Sequence, residues 1–99
     1  MTQKLDINRL EEAASKLRAI AHPIRIAIIE LLDINKNMNV TQIYESIGIE
    51  QATASHHLNI LKNKGVLSSK RDGKNTIYSI RPNSVLQIID CLNRCESNQ

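Results

Sequence analysis

Residues 41 to 65, TQIYESIGIEQATASHHLNILKNKG, hold two short helical patterns separated by a glycine corner, and no other stretch constrains the chain as strongly. Thr41 opens the first pattern, its hydroxyl placed to accept from an orphan backbone N–H. Ile43 and Ile47 mark its buried side and Gly48 ends it. After Ile49 the second pattern starts: Ala54, His57, Leu58 and Leu61 recur at helical spacing, and Gly65 stops the run. Two helices joined by three or four residues, the second polar on its outside, form a helix-turn-helix, which presents one helix to the major groove of DNA.

Residues rotate about 100° apart on a helix, so the arc opposite Ala54, Leu58 and Leu61 holds Ala52, His56, Asn59 and Asn63. Thr53 and Ser55 flank this arc near the amino-terminal end. The leading turns therefore display hydroxyls, an imidazole, an amide and one small side chain that permits close approach. Such groups suit base edges and phosphates, and free N–H groups at the helix start favour a phosphate as well. An ordinary solvated helix face is the competing reading of the same residues.

The next stretch, VLSSKRDGKNTIYSI, reads as a β-hairpin rich in Val, Leu, Ile, Tyr and Thr around Asp72-Gly73. Lys70, Arg71 and Lys74 make its tip basic, while Tyr78 and Ile80, two apart, share one side of the return strand and are expected to pack inward. A hairpin in this position looks like a wing. A plain hairpin with solubilising lysines leaves unexplained why it directly follows the second helix.

These segments together resemble the ArsR/SmtB family of bacterial winged helix-turn-helix regulators, and the resemblance runs along nearly the whole chain. LRAIAHPIRIAIIELL is similar to the family's second-helix signature, with Pro23 and Arg25 in place; QATASHHLNILKNKGVL resembles its recognition helix and RDGKNTIYSI its wing. The resemblance implies DNA contacts from Gln51, Ala52, Thr53, Ser55 and His56, with Arg71 and Lys74 of the wing near phosphate or the minor groove. Thr41, Asn59 and Lys62 complete the candidate DNA-binding set. The chain departs from the family at Glu50, where a small capping Ser is frequent. The carboxylate suits the helix dipole but repels phosphates, though it can also accept from a cytosine amino group.

Length agrees with one domain, 1–99, because a fold of 99 residues buries only about 60 to 70% of its unfolded surface. With no Phe or Trp, and only Tyr44 and Tyr78 aromatic, the core must be aliphatic. No run approaches the roughly 18 apolar residues of a membrane span and no signal peptide is evident, so a cytoplasmic protein with no membrane partner is expected. DINKNMN, residues 33 to 39, reads as the clearest loop, and ESNQ as a frayed end. The net charge of +3 is modest, but residues 50 to 81 hold six basic side chains (Lys62, Lys64, Lys70, Arg71, Lys74, Arg81) against Glu50 and Asp72. The positive excess is thus confined to the second helix and the wing, as an electrostatic footprint for nucleic acid requires.

Both ends carry apolar stripes. Ile7, Leu10, Ala14, Leu17 and Ala21 recur three and four apart, flanked by Ala13 and Ile20. After Pro82 and a cap at Asn83 or Ser84, Val85, Ile88, Ile89, Leu92 and Cys95 form a second stripe. One small subunit has difficulty burying both, and in the resembling family the first and last helices build a symmetric dimer. Such a homodimer sets two recognition helices about one DNA turn, roughly 34 Å, apart. Packing of both stripes within one subunit is the alternative.

Many members of that family sense metals, but the ligands it uses are mostly missing here. The stretch around Asn39, Val40 and Thr41, which corresponds to the family's thiolate motif, has no Cys, and the last helix has no His. Cys91 and Cys95 lie one turn apart, and a dimer could assemble four thiolates from them. An intrahelical disulfide is disfavoured, because Cβ atoms about 5 to 6 Å apart exceed the roughly 3.8 Å that the bond wants. The plain reading makes Cys95 interface filler and Cys91 its half-exposed neighbour, with an intersubunit or persulfide redox switch as the further alternative. No metal and no cofactor is assigned.

His22, just before Pro23, is expected to end the first connection or cap the second helix. His57 is expected to be a satisfied, partly buried imidazole, and His56 the outward reader. No phosphate-cradling glycine loop, paired carboxylate motif or nucleophile with a base is present, so no enzyme is expected. The sequence thus predicts a mainly α fold with a small β-hairpin, a dimeric winged helix-turn-helix of order α-α-α-α-β-β-α. Its partners are double-stranded DNA and a second copy of itself, as a repressor reading a palindromic operator with the helix near 51–64 and the wing near 66–81. The effector is unassigned. The alternatives are a winged helix that binds an acidic protein, and a thiol-based redox- or metal-responsive repressor using Cys91 and Cys95.

Overall fold

His22 starts the second helix by two devices at once. Its Nδ1 accepts from the Ile24 backbone N–H at 3.2 Å, and Pro23, whose missing N–H needs no partner, takes the first helical position. This helix and its neighbours come from a computed structural model that describes residues 7–82. The elements are α1 (Ile7–Ile20), α2 (Pro23–Asn35), β1 (Met38–Asn39), α3 (Val40–Ile47), α4 (Gln51–Asn63), β2 (Leu67–Asp72) and β3 (Asn75–Ile80). The four expected helices and the hairpin are present. The expected last helix, with Val85, Ile88, Ile89, Cys91, Leu92 and Cys95, lies outside the described residues.

Two expectations need correction in the segment from residue 33 to 39, which is not a loop throughout. Helix α2 continues to Asn35, closed by Lys36 at φ 72°, whose N–H reaches the Leu32 carbonyl at 2.8 Å. Met38 and Asn39 then form β1, paired antiparallel with β3 through Met38↔Tyr78 and Asn39↔Ile77. The sheet has three strands, in the order β1-β3-β2, and the hairpin is more than an appendage. Its turn is Gly73-Lys74, one residue later than expected, since Asp72 still pairs with Asn75. Gly73 sits at φ 64°, a backbone that glycine enters without steric cost.

The registers Leu67↔Ile80 and Ser69↔Tyr78 put Leu67, Tyr78 and Ile80 on one face, since side chains alternate along a strand. That face meets the helices. Ile28, Leu32, Ile43, Leu58, Leu61, Val66 and Leu67 are the largest fully buried side chains, joined in one core by Ile20, Ile29, Met38 and Tyr78. The core is aliphatic, as the composition requires, and fixes α4 against α2, α3 and β2.

Helix α1 divides along its length in a way the apolar stripe did not show. Ile20, expected at the stripe's edge, is buried, and Leu17 packs against the same core, whereas Ala21 lies beyond the helix end and is exposed. Ile7 and Leu10 stand out in solvent at 64% and 48% exposure. The carboxyl-terminal half of α1 thus belongs to its own subunit, and the amino-terminal half leaves apolar surface uncovered.

Candidate nucleic-acid interface

The start of α3 is held by a reciprocal pair. Asn39 Oδ1 accepts from the Gln42 N–H at 2.8 Å, and the Asn39 N–H donates to Gln42 Oε1 at 2.9 Å, a capping box that satisfies two orphan donors. The cap is therefore Asn39, not Thr41 as the sequence suggested. Thr41 is released for another role: it lies in the first turn of α3 with its side chain exposed. Gly48, at φ 83°, ends α3 with its N–H on the Tyr44 carbonyl at 2.9 Å, and α4 begins three residues later at Gln51. No side chain closes that start, because Glu50 is the N-cap residue and makes no capping hydrogen bond. The leading N–H groups of α4 keep their hydrogen-bonding capacity for a ligand.

Around this start the elements enclose a polar cleft of about 330 Å³, lined by Asn39, Val40 and Thr41 from the β1–α3 junction, Gln51 and Ser55 from α4, and Lys74, Asn75, Thr76 and Tyr78 from the wing. The arrangement joins three of the expected DNA contacts, Thr41, Gln51 and Ser55, to a fourth, Lys74. Ala52, His56, Asn59 and Lys62 lie outside this lining and are exposed along α4, and Thr53 is half-buried. Arg71 is exposed on β2, beside the tip, and pairs across the hairpin with Thr76. Asn39, Asn75 and Thr76 are site residues that sequence reasoning missed. The signal for Asn39 was the Asn-x-x-Gln spacing with Gln42, obscured by the hydroxyl at Thr41.

The buried arc of α4 is as expected: Ala54, His57, Leu58 and Leu61 are all buried. His57 Nδ1 accepts from Arg25 Nε at 3.0 Å, and its ring lies 4.6 Å from that of His22 and 5.2 Å from that of His56. Burial, and then the facing His22, Arg25 and His56, hold the His57 imidazole below its ordinary value, so its neutral form is favoured. His56 is exposed, in keeping with its role as the outward imidazole. Lys64, at the far end of α4, donates to Ser15 Oγ at 3.2 Å and so ties α4 to α1. Among the described residues no three His, Cys, Asp or Glu side chains are grouped to hold a metal ion, and no helix is long and apolar enough to cross a membrane.

Residues 22–69 match the family described as bacterial regulatory protein, arsR family. The transcriptional repressor PagR of Bacillus anthracis is 39% identical over 90 residues, covering 91% of this chain and 90% of its own length. The chain belongs to the ArsR family. A second relative, the HTH-type transcriptional regulator NmtR of Mycobacterium tuberculosis, is 37% identical over 86 residues, 87% of this chain and 71% of that one. In three dimensions the PagR crystal structure superposes with a TM-score of 0.77 at 38% identity, over 88% of this chain and 99% of that one. The homodimeric winged helix-turn-helix fragment of Mb0332 from Mycobacterium bovis, a possible ArsR-family regulator, gives 0.77 at 25% identity, over 98% of this chain and 91% of that one. As an ArsR-family DNA-binding transcriptional regulator, this chain has its reading helix in α4 and its wing in β2 and β3.

Proposed function

We propose that this protein is a cytoplasmic, homodimeric repressor, a single domain over residues 1–99, which occludes a promoter by binding a near-palindromic duplex site. The observation that supports this reading best is the polar cleft. It brings the uncapped start of α4, the first turn of α3 and a wing lysine to one face, so a phosphate strand and a base edge can be met together. Gln51, Ala52, Thr53, Ser55, His56 and Asn59 contact base edges and flanking backbone, whereas Thr41, Lys62, Arg71 and Lys74 hold phosphates. Two protomers join through the exposed end of α1, around Leu10 and Ala14, and through the terminal stripe from Val85 to Cys95, with Leu17 at its inner edge. PagR is named a repressor, and the Mb0332 fragment is homodimeric, in line with both parts of the reading. The role is one of binding, not catalysis.

The test separates helix from wing. A duplex selected from a random library by the wild-type protein is titrated at several salt concentrations beside an unselected duplex. Ser55→Ala and His56→Ala are expected to cost about 1 to 3 kcal/mol on the selected duplex and much less on the other, because base contacts specify. Arg71→Ala and Lys74→Ala are expected to weaken both duplexes alike and to lower the slope of log affinity against log salt by about one unit each per subunit. A slope unchanged in the Arg71→Ala, Lys74→Ala double variant removes the wing from the interface.

A further inference from the structure

Arg25 occupies a position that the DNA contacts leave without a role. Its Nε donates to His57 Nδ1 on α4 at 3.0 Å, and its Nη1 donates to the Ala19 carbonyl at 3.0 Å. Ala19 lies in the last turn of α1, where four carbonyls lack intrahelical partners. The other three are served by backbone: the Ala21 N–H reaches the Leu17 and Arg18 carbonyls, and the His22 N–H reaches that of Ile20. The guanidinium supplies the fourth bond and places a cation at the negative end of the α1 dipole. With its other edge it fixes a buried ring on α4, one residue from His56 on the exposed arc. A single planar group thus ties the end of α1 to the middle of α4, and Lys64 with Ser15 makes a second, solvent-exposed tie farther along.

We propose that Arg25 is a positioning residue for DNA binding: through an unprotonated His57 it sets α4 against α1, so protonation of His57 releases the reading helix and weakens DNA binding. The chemistry follows from the donor inventory. An Arg has only donors, so Nδ1 must carry a lone pair and the ring proton must sit on Nε2. A proton added at Nδ1 turns the bond into two opposed donors and sets two cations 3.0 Å apart. The groups facing the ring are His22 at the start of α2, Arg25 within α2 and His56 on α4 itself. None of them is an acid that could stabilise the imidazolium. Burial of the ring, at 6% exposure, removes water as a substitute partner. The proposal rests on α4 as the reading helix, and its test keeps the two apart.

The experiment uses the full chain and a duplex selected by the wild-type protein, with affinity measured at pH 5.5 and 7.5. His57→Asn retains an acceptor near the Nδ1 position but cannot titrate, while His56 is common to both proteins and cancels between them. Acidification is expected to weaken the wild-type protein about three- to fivefold more than His57→Asn, which is what a shift of one pKa unit on binding gives at pH 5.5 for a ring that titrates below 6.5. Arg25→Ala is expected to bind about tenfold more weakly at pH 7.5 and to lose most of the pH dependence. Equal pH ratios for wild type and His57→Asn, or wild-type affinity in Arg25→Ala, overturn the proposal. No selected duplex at all refutes the DNA-reading role of α4. A measurement that needs no variant is the ¹⁵N imidazole spectrum of the free protein. His57 is expected as the Nε2–H tautomer at pH 7.5, with amide shifts of residues 51 to 58 following its titration; an Nδ1–H tautomer, or α4 amides indifferent to that titration, overturns the link.

Discussion

At the scale of single residues, burial and its cationic neighbours displace the titration of His57 downward, and this fixes the sign of its effect on stability. Its folded value lies below the ordinary 6.5, so between the two values the unfolded chain binds more protons than the folded one. The stability that depends on the neutral ring is fully present above about pH 6.5 and is lost as pH falls through the lower folded value. Urea unfolding at pH 5 and pH 7, at one fixed protein concentration, is expected to show a larger loss on acidification for the wild type than for His57→Asn. Parallel losses in the two proteins would mean that the ring titrates normally. The sequence made His57 legible as a buried imidazole, from its place on the arc with Ala54, Leu58 and Leu61. It did not reveal Arg25 as the partner, because a contact across 32 positions depends on how α2 and α4 pack.

Among elements, the two helices of the DNA-binding unit start in opposite ways, and the contrast is measurable. Helix α3 has a complete capping box at Asn39 and Gln42, so Asn39→Ala is expected to cost about 1 kcal/mol and to loosen Thr41 at the edge of the cleft. Helix α4 starts at Glu50 with no side-chain cap, so Glu50→Ser is expected to add about 0.5 to 1 kcal/mol. The same change removes a negative charge beside the start of α4 and is expected to strengthen binding to unselected DNA. Thermal unfolding and titration of that duplex check both; a Glu50→Ser protein less stable than wild type would show the carboxylate acting through the helix dipole instead. Helix positions were legible because apolar residues recurred at 3.6 and Gly48 and Gly65 marked the corners. Strand β1 was not: two residues carry no periodicity, and Met38 is recognisable as a strand residue only from its partner Tyr78. The end of α2 was missed for a different reason: Asp33 and Asn35 are weak helix formers typical of loops, so the helix was expected to stop before them, whereas it runs on to a cap at Lys36 at positive φ.

For the whole molecule, the response to metals and the assembly of protomers each have their own experiment. Cys91 and Cys95 alone offer too few ligands per subunit for a closed tetrahedral zinc site, so zinc, cadmium or arsenite under reducing conditions is expected to leave the DNA complex intact. Release at submicromolar metal by the wild type, but not by a Cys91→Ser, Cys95→Ser variant, would establish a four-thiolate site across the dimer. Assembly can be probed on α1, where the structure shows which residue to change. Leu17 packs against the core of its own subunit, so a charge there would unfold the protomer as well as separate it from its partner. Leu10 is 48% exposed within the protomer, and Ile7 beside it 64%, so Leu10→Glu removes little from the subunit's own packing. If this half of α1 forms the seam, a carboxylate from each protomer enters an apolar, two-fold contact and must be desolvated there, which costs several kcal/mol. Leu10→Glu is therefore expected to sediment as a folded monomer with a near wild-type circular dichroism spectrum. Its affinity for a full palindromic duplex should fall by a factor of 100 or more, while binding to a half-site changes little, because the gain from linking two reading helices is lost. A dimeric Leu10→Glu protein with wild-type affinity for the palindrome would place the protomer contact elsewhere.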